Sequence, residues 1–475
     1  MRTILAFVLA FGIAASLHAE FLVPDREYRC PPSDHACKSL HNLSSVEEHQ
    51  TEKGNKFTIN FVEFNDKGQP WNSIELSDAL DQVRKGLGDE GKGAALVVVY
   101  IHGWQNNADD VKGSCQDVCR FRDKLLTHLA DTQAEAGGRP LKVVGIYLAW
   151  RGLTFTVEPF KHIVSYWPRR GVARHVGQTG MFQALTQIEK VVGEKRQSYV
   201  LVLAGHSFGA RVLENAADTR DRQHTGFMLT YRSEVTQLSA QQPMSLGLLS
   251  EQKRALNTDL PADLVFYVNA ATASTVTRKT IKDFREMCSK TPNAPICRAD
   301  PFYLAVSSHA DLATGIIMPI ANLVFPALTS DHLHLISAAD TPWLHTHNDP
   351  SPGCRPAPSV CFTVTPGEPT GQESVDRIDG RTQVPGRINQ PFWIFNVGKN
   401  VMKDHGDVWN DAVTDLVTHV IRHYAKPEVS TAVGSISREC ALNHGTRGTV
   451  TGDKKREVSS PLQSMVSSYS GPARS

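Results

Sequence analysis

The chain has 475 residues, 41% of them hydrophobic and 21% charged. That apolar content can bury a substantial core and excludes a wholly disordered or collagen-like protein. Lys and Arg number 50 against 49 for Asp and Glu, and loss of a leader carrying Arg2 would leave them balanced, so there is no electrostatic case for nucleic acid as the main partner.

At roughly 150 residues per domain, the length corresponds to about three domains, or to one large α/β domain with long insertions. Arg2, the apolar run Ile4 to Ala15 and the tetrapeptide Ser16-Leu17-His18-Ala19 read as a secretory signal peptide over residues 1–19,. The expected location is secreted or periplasmic. No later segment reaches the length of apolar run that a membrane span needs. Residues 20–55 are polar and read as irregular. Eight of the nine cysteines fall into close pairs, Cys30/Cys37, Cys115/Cys119, Cys288/Cys297 and Cys354/Cys361, with Cys440 left over. Each pair could close a small loop in an oxidising compartment. Cys115/Cys119 is the weakest, because a regular helix gives that spacing poor disulfide geometry.

From residue 56 to 427 the sequence alternates apolar runs with amphipathic stretches. Strands are predicted at Phe57 to Phe64, Leu96 to Ile101, Leu141 to Trp150, Tyr199 to Ala204, Leu264 to Val268, Phe302 to Val306 and Phe392 to Val397. Between and after them, Phe121, Leu125, Leu126 and Leu129 share one helical face, as do Met181, Leu185, Ile188 and Val192, and later Val408, Ala412, Val413, Leu416, Val417, Val420 and Ile421. The fold class is therefore α/β, a mostly parallel central sheet with helices on both faces. Two long insertions interrupt it, at about 218–261 and 323–391. A flexible C-terminal tail is expected over 428–475. Ligands of such sheets bind beyond the carboxyl ends of the strands, which directs attention to the residues following each apolar run.

After Tyr199 to Ala204 comes Gly205-His206-Ser207-Phe208-Gly209, followed by a helix-like segment. This is G-x-S-x-G between a strand and a helix. Side chains at Gly205 or Gly209 would crowd the sharp turn that exposes Ser207, and His206 should point away from Ser207 as a structural neighbour. The segment resembles the nucleophile elbow of the α/β-hydrolase superfamily, in its secreted lipase and esterase branch. That resemblance implies a catalytic chain order of Ser, then Asp or Glu, then His. It also implies an oxyanion loop after an earlier strand. His102-Gly103-Trp104, following Val97 to Ile101, is similar to that loop. On the family pattern the backbone N–H groups of Trp104 and Phe208 would hold the oxyanion, with Gly103 permitting close approach and His102 orienting the loop.

Asp311, in the loop after Phe302 to Val306, is the candidate acid. Asp283, Asp340 and Asp349 are its rivals, and Asp311 could also cap the segment that follows it. The loop Asn269-Ala270-Ala271-Thr272 after the preceding strand carries no carboxylate. His405, after the last strand and before the last amphipathic helix, is the candidate base. The expected activity is hydrolysis of a small-molecule or lipid-like carboxylic ester through an acyl-enzyme, with no cofactor. An amidase, peptidase or thioesterase would use the same triad, and a non-catalytic binding protein could use the same fold. Met244, Leu246, Leu248 and Leu249 in the first insertion could line an acyl pocket or form plain core. His332/His334 and His345/His347 in the second are H-x-H pairs compatible with a metal or with surface histidines. No metal is assigned.

Overall fold

The computed structural model describes residues 22–38, 43–88, 93–109, 117–135, 141–154, 161–195, 198–222, 262–272, 303–308, 310–314, 351–354, 361–363, 392–399 and 401–424. The predicted leader, both H-x-H pairs, Asp283, Asp340, Asp349, Cys115, Cys288, Cys297, Cys440, the C-terminal tail and most of both insertions lie outside these residues.

Eight strands make the central sheet. In chain order they are β1 (Val46–Gln50), β2 (Lys56–Phe64), β3 (Ala95–Ile101), β4 (Lys142–Trp150), β5 (Tyr199–His206), β6 (Leu264–Val268), β7 (Tyr303–Ser308) and β8 (Phe392–Val397). Their spatial order is β8-β7-β6-β5-β3-β4-β2-β1. Only the β1–β2 pair is antiparallel among them. The inner strands read as unbroken apolar runs because both faces are covered. In β3 all seven residues are buried, and the pleat sends Val97, Val99 and Ile101 into one core layer and Leu96, Val98 and Tyr100 into the other,.

Helices supply the outer layers. Helix α1 (Ser73–Lys85) opens on Asn72, whose side chain accepts from the Ile74 N–H at 3.0 Å, a regular N-cap. The first core layer combines α1 with α3 (Lys161–Val176), α4 (Phe182–Glu194) and α5 (Phe208–Arg222). The second combines the helical run Arg120–Leu126, α2 (Thr127–Glu135) and α6 (Asp411–Tyr424). Val413, Leu416, Val417, Val420 and Ile421 of α6 are all buried, following the 3.6-residue period expected for that segment. Among the described residues, no helix is long and apolar enough to cross a membrane.

Two expectations need correction. Residues 20–55 are not irregular throughout. They carry β1, a short parallel pair between Arg29–Cys30 and Leu43–Ser44, and the helical turn His35–Lys38. Strand β1 is polar because it lies at the edge of the sheet, where no continuous apolar run is required. The first insertion also begins later than 218, since α5 runs to Arg222. Cys30 and Cys37 are disulfide-bonded, as their spacing allowed, and Cys119 is also disulfide-bonded. In the second insertion Ser351–Cys354 and Cys361–Thr363 form an antiparallel pair that sets Cys354 opposite Cys361.

The chain leaves β3 for β4 on one side, and β5 lies on the other side of β3. The carboxyl ends of β3 and β5 therefore flank a switch point, the crevice in which open α/β sheets place ligands. His102-Gly103-Trp104 and Ser207 stand at those two ends.

Candidate active site

Strand β5 ends at His206 and α5 begins at Phe208, leaving Ser207 alone to reverse the chain. Its φ is 53°, a left-handed conformation that a non-glycine residue holds at a cost. The turn is fixed on both sides: Ser207 N–H donates to Val268 C=O at 3.1 Å, and Ser207 C=O accepts from Ala271 N–H at 3.1 Å. The flanking glycines are required by close backbone approach. A Cβ on Gly209 would lie 2.0 Å from the Ile101 carbonyl oxygen, and one on Gly205 would lie 2.6 Å from Ala210 Cα. Helix α5 thus begins against the exit of β3.

His405 follows β8 in a loop. Its Nε2 lies 2.8 Å from Ser207 Oγ and its Nδ1 lies 2.8 Å from Asp311 Oδ2. Asp311, with a side chain 0% exposed, also accepts from Ala313 N–H at 2.8 Å and from the Thr314 hydroxyl at 2.6 Å. Burial opposes charge on this carboxyl, but the hydrogen bonds and charge of His405 and the bonds from Thr314 hold it below the usual carboxylate range,. An ionised Asp311 accepts only, so His405 Nδ1 carries the proton, and in the neutral imidazole Nε2 is left to accept from the serine hydroxyl. That is the tautomer a general base needs.

The other two histidines at the site are structural. Nδ1 of His102 is 2.9 Å from the Gly103 carbonyl, which can only accept, and Nε2 accepts from Trp150 N–H at 3.0 Å. Burial pulls the pKa of His102 down to about 4, so this neutral ring locks the loop after β3. His206 Nε2 lies 2.9 Å from the His405 carbonyl. Burial, then the nearby His405, lower the pKa of His206 to about 3. Its ring lies 5.0 Å from that of His405. Behind it is Asp117, which accepts from the hydroxyls of Tyr100 at 2.9 Å and Tyr147 at 2.8 Å, with burial raising its pKa to about 6.

Gly103 packs straight onto the elbow: a Cβ there would lie 2.8 Å from His206 Nδ1 and 2.9 Å from Ser207 Cβ. Beside Ser207 and His405 opens a small cleft walled by Trp104, Tyr166, Phe208, Ala271, Ala313 and Thr314. The Tyr166 ring stands 5.8 Å from Trp104 and 5.2 Å from Phe208. The arrangement can activate a hydroxyl beside an apolar, aromatic-walled space.

The structure brings Ser207, His405 and Asp311 into one hydrogen-bonded row and sets Trp104, Phe208, His102, Gly103, Gly205, His206 and Gly209 around it. Sequence reasoning missed Thr314, Tyr166, Asp117 and Asn269. Asn269 stood in a loop passed over for lacking a carboxylate, yet its φ is 45° and its amide spans β7 and the His405 loop. Its position directly after an apolar run was the available signal. Among the described residues, no group of His, Cys, Asp and Glu side chains is arranged to hold a metal ion. Comparison with known protein families, with curated proteins and with solved structures finds no match to this chain.

Proposed function

We propose that the protein is a serine hydrolase of carboxylic esters built on an α/β-hydrolase fold, and that it works in an oxidising compartment outside the cytosol. The observation that carries this reading is the row of two 2.8 Å contacts from Asp311 through His405 to Ser207, at a serine held in left-handed backbone geometry between a strand and a helix. The chain order Ser, Asp, His and the G-x-S-x-G sequence agree with the resemblance to that superfamily.

In this reaction Ser207 Oγ attacks the ester carbonyl carbon while His405 Nε2 takes the hydroxyl proton. The tetrahedral oxyanion is held by the backbone N–H groups of Trp104 and Phe208, two of the residues that line the cleft. Phe208 opens α5, and the N–H groups of a first helical turn have no acceptor within the helix. One such donor is worth about 3 kcal/mol in the transition state. The intermediate collapses, the C–O bond breaks, and His405 returns the proton to the departing alkoxide, releasing an alcohol. Water then attacks the acyl-enzyme with His405 again as base, and a carboxylic acid leaves.

The apolar cleft favours an ester with an uncharged acyl group. The Cys30–Cys37 disulfide supports export, since such bonds persist in oxidising surroundings. A fluorophosphonate probe tests the proposal. Wild type is expected to label, and Ser207→Ala and His405→Ala to lose labelling and at least about 10⁴-fold of p-nitrophenyl ester turnover. Folded wild type that neither labels nor turns over esters would overturn this reading and favour a binding protein. Parallel amide and thioester substrates identify the bond preferred.

A further inference from the structure

His405 sits in a loop, and an imidazole that must reach both Ser207 and Asp311 tolerates little backbone drift. Two side chains from different strand ends meet at its carbonyl oxygen. His206, the last residue of β5, approaches through Nε2 at 2.9 Å, and Asn269, just after β6, donates its amide at 3.0 Å. Because a carbonyl only accepts, His206 must carry its proton on Nε2. Its Nδ1 is buried without a hydrogen bond, 4.0 Å from Asp117 Oδ1, so the ring's hydrogen bond goes to the His405 carbonyl.

Asn269 is tied equally firmly. Its Oδ1 accepts from Ser308 N–H at 2.9 Å, and its amide also reaches the Asp404 carbonyl at 3.3 Å. Its own N–H donates to Val306 C=O at 2.8 Å. Asparagine tolerates the left-handed φ of 45° better than most residues and offers a donor and an acceptor on one short side chain.

We infer that His206 and Asn269 are positioning residues that clamp the His405 carbonyl and thereby hold its imidazole on Ser207 and Asp311. Both bond the His405 carbonyl and not its ring nitrogens, although the His206 ring lies 5.0 Å from the His405 ring. For its catalytic consequence the inference rests on the hydrolase reading. Displacing a reacting group by about 1 Å can cost on the order of 10²-fold in rate. His206→Phe keeps the bulk and removes the donor. His206→Gln can return an amide donor near the Nε2 position. Asn269→Asp keeps the shape and turns the donor into a second acceptor facing the carbonyl.

The test combines kinetics on a p-nitrophenyl ester with NMR of the His405 Nδ1–H proton bound to Asp311. His206→Phe and Asn269→Asp are expected to lower kcat about 10²-fold with KM within about threefold, and to speed exchange of that proton at least about tenfold. His206→Gln should recover most of both. Unchanged kcat with an unchanged proton signal would overturn the clamp. So would equal loss in His206→Gln and His206→Phe. If wild type turns over no ester, the hydrolase reading fails on its own, and the Nδ1–H exchange rates still decide whether the two side chains hold the ring.

Discussion

The Nδ1 of His405 meets Asp311 Oδ2 at 2.8 Å across 94 residues of sequence. The depressed pKa of Asp311 gives this contact a pH signature. A carboxyl held below its unfolded value contributes stability that is present above that value and lost as pH falls through the folded one. Asp311→Asn is expected to cost about 10⁴-fold in kcat, because the amide favours the wrong imidazole tautomer. Thermal unfolding should show wild type more stable than the variant at neutral pH by about 1–3 kcal/mol. That advantage should disappear in strong acid, and one that persisted there would assign it to packing instead of charge.

Ser207 stores backbone strain. Its φ of 53° suits glycine, which enters the left-handed region without the roughly 1 kcal/mol penalty of a side chain. Ser207→Gly should therefore unfold at higher denaturant than Ser207→Ala, with both inactive. Equal midpoints would mean that the turn is not strained.

Two glycines should fail differently. A methyl group on Gly209 meets the Ile101 carbonyl, part of the sheet backbone. Gly209→Ala should cost about 3 kcal/mol, visible as a lowered melting temperature or lost soluble protein. At Gly103 the methyl group meets His206 and Ser207 side-chain atoms. Gly103→Ala should fold, yet lose about 10²-fold in kcat as the elbow shifts. The reverse pattern would place the critical close approach at the other glycine.

On a neighbouring strand and helix, Glu63 and Glu75 are both buried. Glu63 accepts from the N–H groups of Tyr28 and Arg29, the latter at 2.7 Å, whereas Glu75 accepts from Glu63 N–H and leaves Oε1 with no partner. Glu75 is thus the better holder of a proton. Burial, then repulsion from Glu63, raise its pKa well above the usual range. A raised carboxyl contributes stability that is present below its unfolded pKa and lost as pH rises through the folded one. Glu75→Gln should raise the melting temperature on the alkaline side of the usual carboxylate range and flatten its decline as pH rises there. An unaltered slope would locate the proton elsewhere.

Much of this was legible in the chain. Leu264–Val268 and Phe392–Val397 match their predicted bounds, because there the mainly apolar stretch and the ladder of paired residues share their ends. β5 runs on through Gly205 and His206, since a strand terminus is set by pairing with its neighbours and not by hydropathy. Ser207 could be found from two glycines with a mechanical reason to exist. For Asn269 the chain offered its position after an apolar run, whereas its side-chain bonds to Ser308, Asp404 and His405, all distant in sequence, exist only in the fold. α3 escaped because Pro168 and charged residues interrupt its apolar periodicity.

The outermost strand has a consequence for colloidal behaviour. β1 reads Val-Glu-Glu-His-Gln, and its Glu47 is bound to Arg29 at 2.5 Å and to His49 at 2.8 Å. A short ribbon studded with carboxylates is a poor template for an incoming extended peptide. Crowded solutions should therefore resist strand-by-strand accretion along that flank, and fibre growth would have to start elsewhere.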